Sequence, residues 1–297
     1  MEPDDPEVPV IPRPQGSLRP QRRLRKGLYI LPALFTTANI AAGYYAILQV
    51  THGSAAEPWH FDFAAMAIGF GFIVDGLDGR IARMTRTTSD FGRELDSLAD
   101  VVTFGVAPAM LAWMWGFHNL VPAFPPTMMN RIVELGAIAS FLFLMAGASR
   151  LARFNITSNP QPSNPGNPGK KYFVGMPIPA GAGVISAVVH LSNGEPIASW
   201  WTAVTWMLMI AAVAYLMVST WRFFSFKDLE LNARQPFRLI VLFGLLFAAI
   251  RYFSQWVLFL LALTYMFSGV FWRLKWVLRR RGNPPPPPPY KEASQAS

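Results

Sequence analysis

Apolar residues fall in eight blocks along the chain, at about 28–50, 61–75, 97–117, 132–149, 175–192, 198–221, 238–252 and 255–274, separated by short polar or charged connections. Blocks of that length that lack strand-like alternation predict helices, and runs such as Pro196 to Trp221 exceed the roughly 20 apolar residues that cross a bilayer. The pattern therefore predicts an all-α, polytopic membrane bundle of about eight transmembrane helices. Arg251, Ser254 and Gln255 interrupt the boundary between the last two blocks, so these form either a tight helical hairpin or one long bent segment. Residues 1–27 hold Pro, Arg and acidic residues without an apolar run, which predicts a disordered basic arm. Residues 28–275 form the membrane-embedded unit. Beyond them, residues 276–297 carry Arg279, Arg280, Arg281 and six prolines, Pro284 to Pro289, which predict an extended polyproline tail.

Composition sharpens that picture. Of 297 residues 52% are hydrophobic and only 14% charged, against about 25% charged in soluble domains. The absence of cysteine excludes disulfides, zinc–thiolate sites, iron–sulfur clusters and thiol nucleophiles. The net charge of +9 would suit a nucleic-acid partner, but the cations sort by connection. Placed on alternate sides of eight spans, they leave only Arg131 and Arg251, of 26, opposite all the others. The positive-inside rule then puts both termini in the cytoplasm and accounts for the charge, with membrane lipids as partners and no role for nucleic acid. The expected location is the cell inner membrane, with the polar site described next facing the cytoplasm.

That site lies in Asp75-Gly-Leu-Asp78-Gly79-Arg-Ile-Ala82-Arg83, followed by Gly92-Arg-Glu-Leu-Asp96-Ser-Leu-Ala-Asp100. Asp75 and Asp78 are spaced i,i+3, and Asp96 and Asp100 i,i+4, so each pair shares a helix face. Four acids brought together at a membrane boundary repel one another unless a cation lies between them. Oxygen donors without His or Cys suit Mg²⁺ or Mn²⁺. Glycines 76, 79 and 92 leave room for close approach of a ligand or backbone. The alternative is ordinary pairing with Arg80, Arg83, Arg86 and Arg93, which does not by itself demand two helical carboxylate pairs. His52, His60, His118 and His190 fall near the opposite side and carry little weight as catalytic groups.

The spacing Asp75-x2-Asp78-Gly79-x2-Ala82-Arg83-x8-Gly92-x3-Asp96-x3-Asp100 resembles the full signature of the CDP-alcohol phosphatidyltransferase family. Asp96 to Pro108, Arg150-Leu-Ala-Arg153-Phe-Asn155, Phe173 to Ala180 and Leu31 to Asn39 resemble its serine-using branch, over roughly residues 27–275. Ala33 departs from the Asn often found after Pro in that family.

The resemblance implies transfer of a phosphatidyl group from CDP-diacylglycerol to L-serine, with CMP released and a homodimer as the assembly. It implies that Asp75, Asp78 and Asp96 hold one or two divalent ions. Asp100 would take the serine hydroxyl proton and also touch a metal. Asn39, Asp75, Gly79, Ala82 and Arg83 would contact the CDP end. Arg150 and Arg153, on one helical face, are candidates for the serine carboxylate or a lipid phosphate, because an arginine fork matches a carboxylate. Two other functions compete: the same transfer to glycerol phosphate or inositol phosphate, and a cation transporter whose acids bind its substrate.

Overall fold

The computed structural model describes residues 30–85, 90–120, 126–156, 172–224 and 236–279. The basic arm and nearly all of the polyproline tail lie outside them, as do Lys170 and Lys171. Within the described residues the chain is almost wholly helical, and five stretches are long and apolar enough to cross a membrane: Trp59–Leu77, Phe91–His118, Met128–Ile156, Trp200–Val218 and Gly244–Leu278.

Helices α1 (Ile30–His52) and α2 (Trp59–Thr85) form an antiparallel hairpin. The third apolar block is a relay of helical pieces: α3 (Asp90–Asp100), a π-helical stretch at Val101–Val106, α4 (Ala107–Trp113), and a second π-helical stretch at Met114–His118. Next comes α5 (Pro126–Ile156), which packs on α7 (Trp200–Val218). Between them α6 (Ile178–Leu191) packs on α2 and on α8 (Pro236–Arg279). At 14 residues, α6 is about 21 Å long, shorter than the roughly 30 Å hydrocarbon core.

The seventh and eighth apolar blocks form one bent element, the second of the two alternatives open at the polar break: α8 contains a single non-helical residue, Phe253 (φ −134°, ψ 38°). A departure from the all-helical expectation is a small antiparallel sheet, in which β1 (Tyr172–Val174) pairs with β2 (Arg222–Phe224), Phe173 opposite Phe223. Its strands sit where the chain enters α6 and leaves α7. There they satisfy backbone groups that a helix terminus leaves open: Met176 N donates to Leu216 O at 3.0 Å and Gly175 N to Trp221 O at 2.9 Å. Gly175 adopts φ +74°, and a Cβ there would lie 2.5 Å from the Met217 carbonyl oxygen, so only glycine makes this turn.

Close helix approach places the core around the third block. A Cβ on Gly43 of α1 would lie 2.5 Å from Thr103 Oγ1, and one on Gly71 of α2 2.7 Å from Thr103 Cγ2. Thr103 is buried and donates to the Asn39 carbonyl at 2.8 Å. These contacts draw α1, α2 and the turn after Asp100 together. Gly181 makes a similar approach to Val213 and Met217, whereas Gly183 meets nothing within 4 Å.

Candidate active site at the end of the bundle

α2 delivers Asp75 and α3 delivers Asp96 and Asp100 to one place. A carboxylate oxygen from each lies within 4.8 Å of the others, and all three residues are half-buried. The two-helix arrangement expected from the spacing is thus present for three of the four acids. Asp78 lies on α2, but its side chain is outside the described residues, as are those of Ala82 and Arg83. Gly79 is half-buried on the same helix, and an added Cβ on Gly76 would meet no atom within 4 Å. Gly43 and Gly71 make the close helix contacts near the site, whereas Gly76 faces open space.

Asn39 enters from α1 and is 1% exposed. Its Nδ2 donates to Asp100 Oδ1 at 3.5 Å, while its own Oδ1 is buried without a hydrogen-bond partner among the described residues. A buried orphan acceptor beside three carboxylates fits a hard cation or a ligand donor. The π-helical stretch directly after Asp100 widens the backbone where Thr103 and Gly105 pack, a local irregularity often found at functional sites.

From α5 comes Arg150, 7% exposed, with its guanidinium 6.0 Å from the Phe154 ring and within electrostatic reach of Asp100. Its Nε has no hydrogen-bond partner among the described residues. Arg153 separates from it: Nη2 donates to the Val218 carbonyl at 3.3 Å, capping the last turn of α7. One helical face thus splits into a site-facing arginine and a helix-capping one. Asn155 Nδ2 donates to Ser97 Oγ at 2.9 Å, tying the end of α5 to α3 beside Asp96.

Sequence reasoning missed a second polar cluster. His190 of α6, 8% exposed, has Nδ1 2.5 Å from Asp62 Oδ1 of α2 and Nε2 2.9 Å from Ser254 Oγ, just past the Phe253 bend. Gln255 bonds Asn193 next to it. Acid, imidazole and hydroxyl are connected here as in an acyl-transfer triad. Yet the imidazole is buried with both nitrogens engaged, and the three groups join three helices across the core. Asp62 and Asp75 are 13 residues apart on α2, about 20 Å along its axis, so the two clusters occupy opposite ends of the bundle. No local spacing pointed to this one, because its partners are separated by 128 and 64 residues.

Residues 29–203, more than half the chain, match the profile of the CDP-alcohol phosphatidyltransferase family. The chain belongs to that family. It is 36% identical over 220 residues to a CDP-diacylglycerol–serine O-phosphatidyltransferase of Helicobacter pylori, a match covering 74% of this chain and 82% of that protein. A relative of the same description from Methanocaldococcus jannaschii is 38% identical over 180 residues, 61% of this chain and 70% of the other. One from Saccharomyces cerevisiae is 35% identical over 156 residues, covering 52% and 51%. Membership in a transferase family leaves the cation-transporter reading without support, and the acidic cluster of α2 and α3 falls inside the matched residues.

Proposed function

We propose that this phosphatidyltransferase uses CDP-diacylglycerol as donor and the hydroxyl of L-serine as acceptor, giving phosphatidylserine and CMP. The observation that carries this reading is the meeting of Asp75, Asp96 and Asp100 beside Asn39 and the buried Arg150. The relatives named for the same serine reaction support the choice of acceptor.

The donor set fits Mg²⁺ or Mn²⁺: only oxygen ligands, from two helices, with an orphan amide oxygen alongside. Asp75, Asp78 and Asp96, with Asp100, would hold the ion or ions. When bound, such a cation neutralises the donor's pyrophosphate and stabilises the departing CMP. The chain's own groups do the rest. Asn39 orients the Asp100 carboxylate through Nδ2 and leaves its Oδ1 for the nucleotide end. Gly79 and Ala82 leave space for the cytidine and ribose, and Arg83 neutralises phosphate. Asp100 accepts the serine hydroxyl proton as the serine oxygen bonds to the lipid-bearing phosphorus. The bond from that phosphorus to the CMP oxygen breaks, and its electron pair leaves with CMP. Arg150, with its unpartnered Nε, takes the serine carboxylate. Arg153, engaged at the end of α7, keeps at most a lipid-phosphate role.

The site would face the cytoplasm of the inner membrane. In the described chain, Arg150, Arg153, Arg222, Arg273 and Lys275 gather at the acidic end, while Arg131 and Arg251 lie toward the other, which supports that orientation. The homodimer and the lipid contacts belong to the same proposal.

The test is CMP release by purified protein given CDP-diacylglycerol, a divalent ion and one alcohol at a time. Serine should release CMP at least about tenfold faster than glycerol phosphate or inositol phosphate at equal concentration. Faster release with either phosphorylated alcohol would overturn the serine assignment while leaving the family intact.

A further inference from the structure

The third apolar block grips α1 twice at one residue, Asn39. Asp100 Oδ1 accepts from Asn39 Nδ2 at 3.5 Å, and three residues further on Thr103 Oγ1 donates to the Asn39 carbonyl at 2.8 Å. Thr103 is fully buried and Asn39 nearly so, which keeps bulk water from competing for either contact.

The hydroxyl of Thr103 behaves unlike its counterparts elsewhere in the chain. A serine or threonine in a helix ordinarily bonds the carbonyl three or four residues back. Thr37, Ser97, Ser149, Thr205 and Ser268 all do so. Thr103 instead crosses to another helix, to a residue 64 positions away. It lies in the π-helical stretch Val101–Val106, where the Ala107 N–H reaches back five residues to the Val102 carbonyl.

Both neighbouring helices are shaped for this side chain. In the ladder of α1 the Asn39 carbonyl faces the N–H of Gly43, four residues on, and its second lone pair is left for Thr103. Gly43 clears the approach, since a Cβ there would lie 2.5 Å from Thr103 Oγ1. The methyl branch meets α2: a Cβ on Gly71 would lie 2.7 Å from Thr103 Cγ2 and 3.2 Å from Asn39 Oδ1. With one branch on each helix, the stiff χ1 of a β-branched residue holds the hydroxyl on α1.

Chemistry gives the clamp a purpose. At 3.5 Å the bond from Asn39 to Asp100 stands at the end of the useful range, so a slip of α1 by a few tenths of an ångström would end it. A general base works only within hydrogen-bond reach of the proton it takes, which makes the orientation of its carboxylate decisive.

We propose that Thr103 is a positioning residue for the transfer: its hydroxyl fixes Asn39, and Asn39 fixes the Asp100 carboxylate for the acceptor proton. This inference rests on the reading of Asp100 as proton acceptor given above.

The experiment measures turnover, donor KM and serine KM of the full chain at saturating divalent ion, together with the thermal midpoint in detergent. The variants are Thr103→Ser, Thr103→Ala, Asn39→Ala, the double variant of the last two, and Asp100→Asn. Thr103→Ala should cut turnover about tenfold with the two KM values within about threefold of the parent. Thr103→Ser loses the same methyl against Gly71 but keeps the hydroxyl, so its midpoint should fall as well while its turnover stays within about twofold. Added to Asn39→Ala, Thr103→Ala should change turnover by less than about twofold, because the side chain it positions is gone. Normal turnover in Thr103→Ala, with turnover lost in Asp100→Asn, overturns the role of Thr103 and spares that of Asp100. Normal turnover in Asp100→Asn removes the proton-acceptor reading itself. Equal losses of turnover in Thr103→Ser and Thr103→Ala would reduce Thr103 to packing, and additive losses with Asn39→Ala would show that it does not act through Asn39; either overturns the proposal.

Discussion

The two polar clusters of this bundle stand about 20 Å apart on α2 and solve opposite problems. At one end, Asp62, His190 and Ser254 satisfy one another: acid to imidazole, imidazole to hydroxyl, on three helices. Such a cluster is complete as it stands and spends its interactions on holding helices together. At the other end, Asp75, Asp96 and Asp100 bring like charges within 4.8 Å, with an amide oxygen of Asn39 and the Nε of Arg150 left without hydrogen-bond partners among the described residues. That cluster gains its sense from something added to it. Burial and hydrogen bonding, more than residue type, separate the structural group from the functional one: judged by composition alone, the Asp–His–Ser set would look the more catalytic.

Substitution at each end should break the comparison if it is wrong. Asp75→Asn and Asp96→Asn preserve size but remove the charge a hard cation needs, and each should lower turnover by about a hundredfold or more while the protein still inserts. Asp62→Asn should leave turnover of the folded protein within about twofold. Near-normal turnover in both cluster variants at the acidic end would dissolve the distinction.

Removal of divalent ions makes the same contrast without mutation. Chelation should abolish CMP release, and Mg²⁺ or Mn²⁺ should restore it. The ion should also raise the thermal midpoint of the wild type through binding linkage, and do so less in Asp96→Asn. Equal stabilisation of both proteins would place the ion elsewhere.

The structural cluster should answer in stability. His190→Ala leaves Asp62 without its imidazole partner and Ser254 without its ring nitrogen. It should cost about 2–4 kcal/mol, read as earlier unfolding in detergent. An unchanged midpoint would show that the tie between α2, α6 and α8 does not hold them.

The smallest effects come from glycines. Gly43→Ala would set a Cβ 2.5 Å from Thr103 Oγ1 and 2.8 Å from its Cα, against backbone that cannot swing away. A destabilisation of about 1–3 kcal/mol is expected. Gly76→Ala meets open space and should be neutral or stabilising by less than about 1 kcal/mol, a gain in helix propensity. Equal midpoints for these two variants would contradict the packing described around Asp100.

Much of the acidic site was legible because its logic is local. Asp75 and the Asp96–Asp100 pair sit at helical spacings, and short connections return α2 to α3. The apolar blocks likewise marked the helices, and the polar break at Arg251 to Gln255 marked the bend of α8. What stayed hidden depends on contacts between distant residues. The split between Arg150 and Arg153 is set by where α7 ends, since Val218 offers its carbonyl to only one of them. The His190 cluster joins three separate helices, and the β1–β2 pair forms between the start of α6 and the end of α7, where no alternating run is long enough to announce a strand. The π-helical turn after Asp100 follows from packing at Thr103 and Gly105, which a helical period does not disclose.

The central claim is that the acidic end is a cation site and the His190 end is not. Electron paramagnetic resonance of Mn²⁺ added to the purified protein counts bound ions directly, independent of turnover. Wild type and Asp62→Asn should bind with the same affinity, and Asp96→Asn should bind at least about tenfold more weakly. Undiminished Mn²⁺ binding by Asp96→Asn, or its loss in a folded Asp62→Asn, would contradict the account.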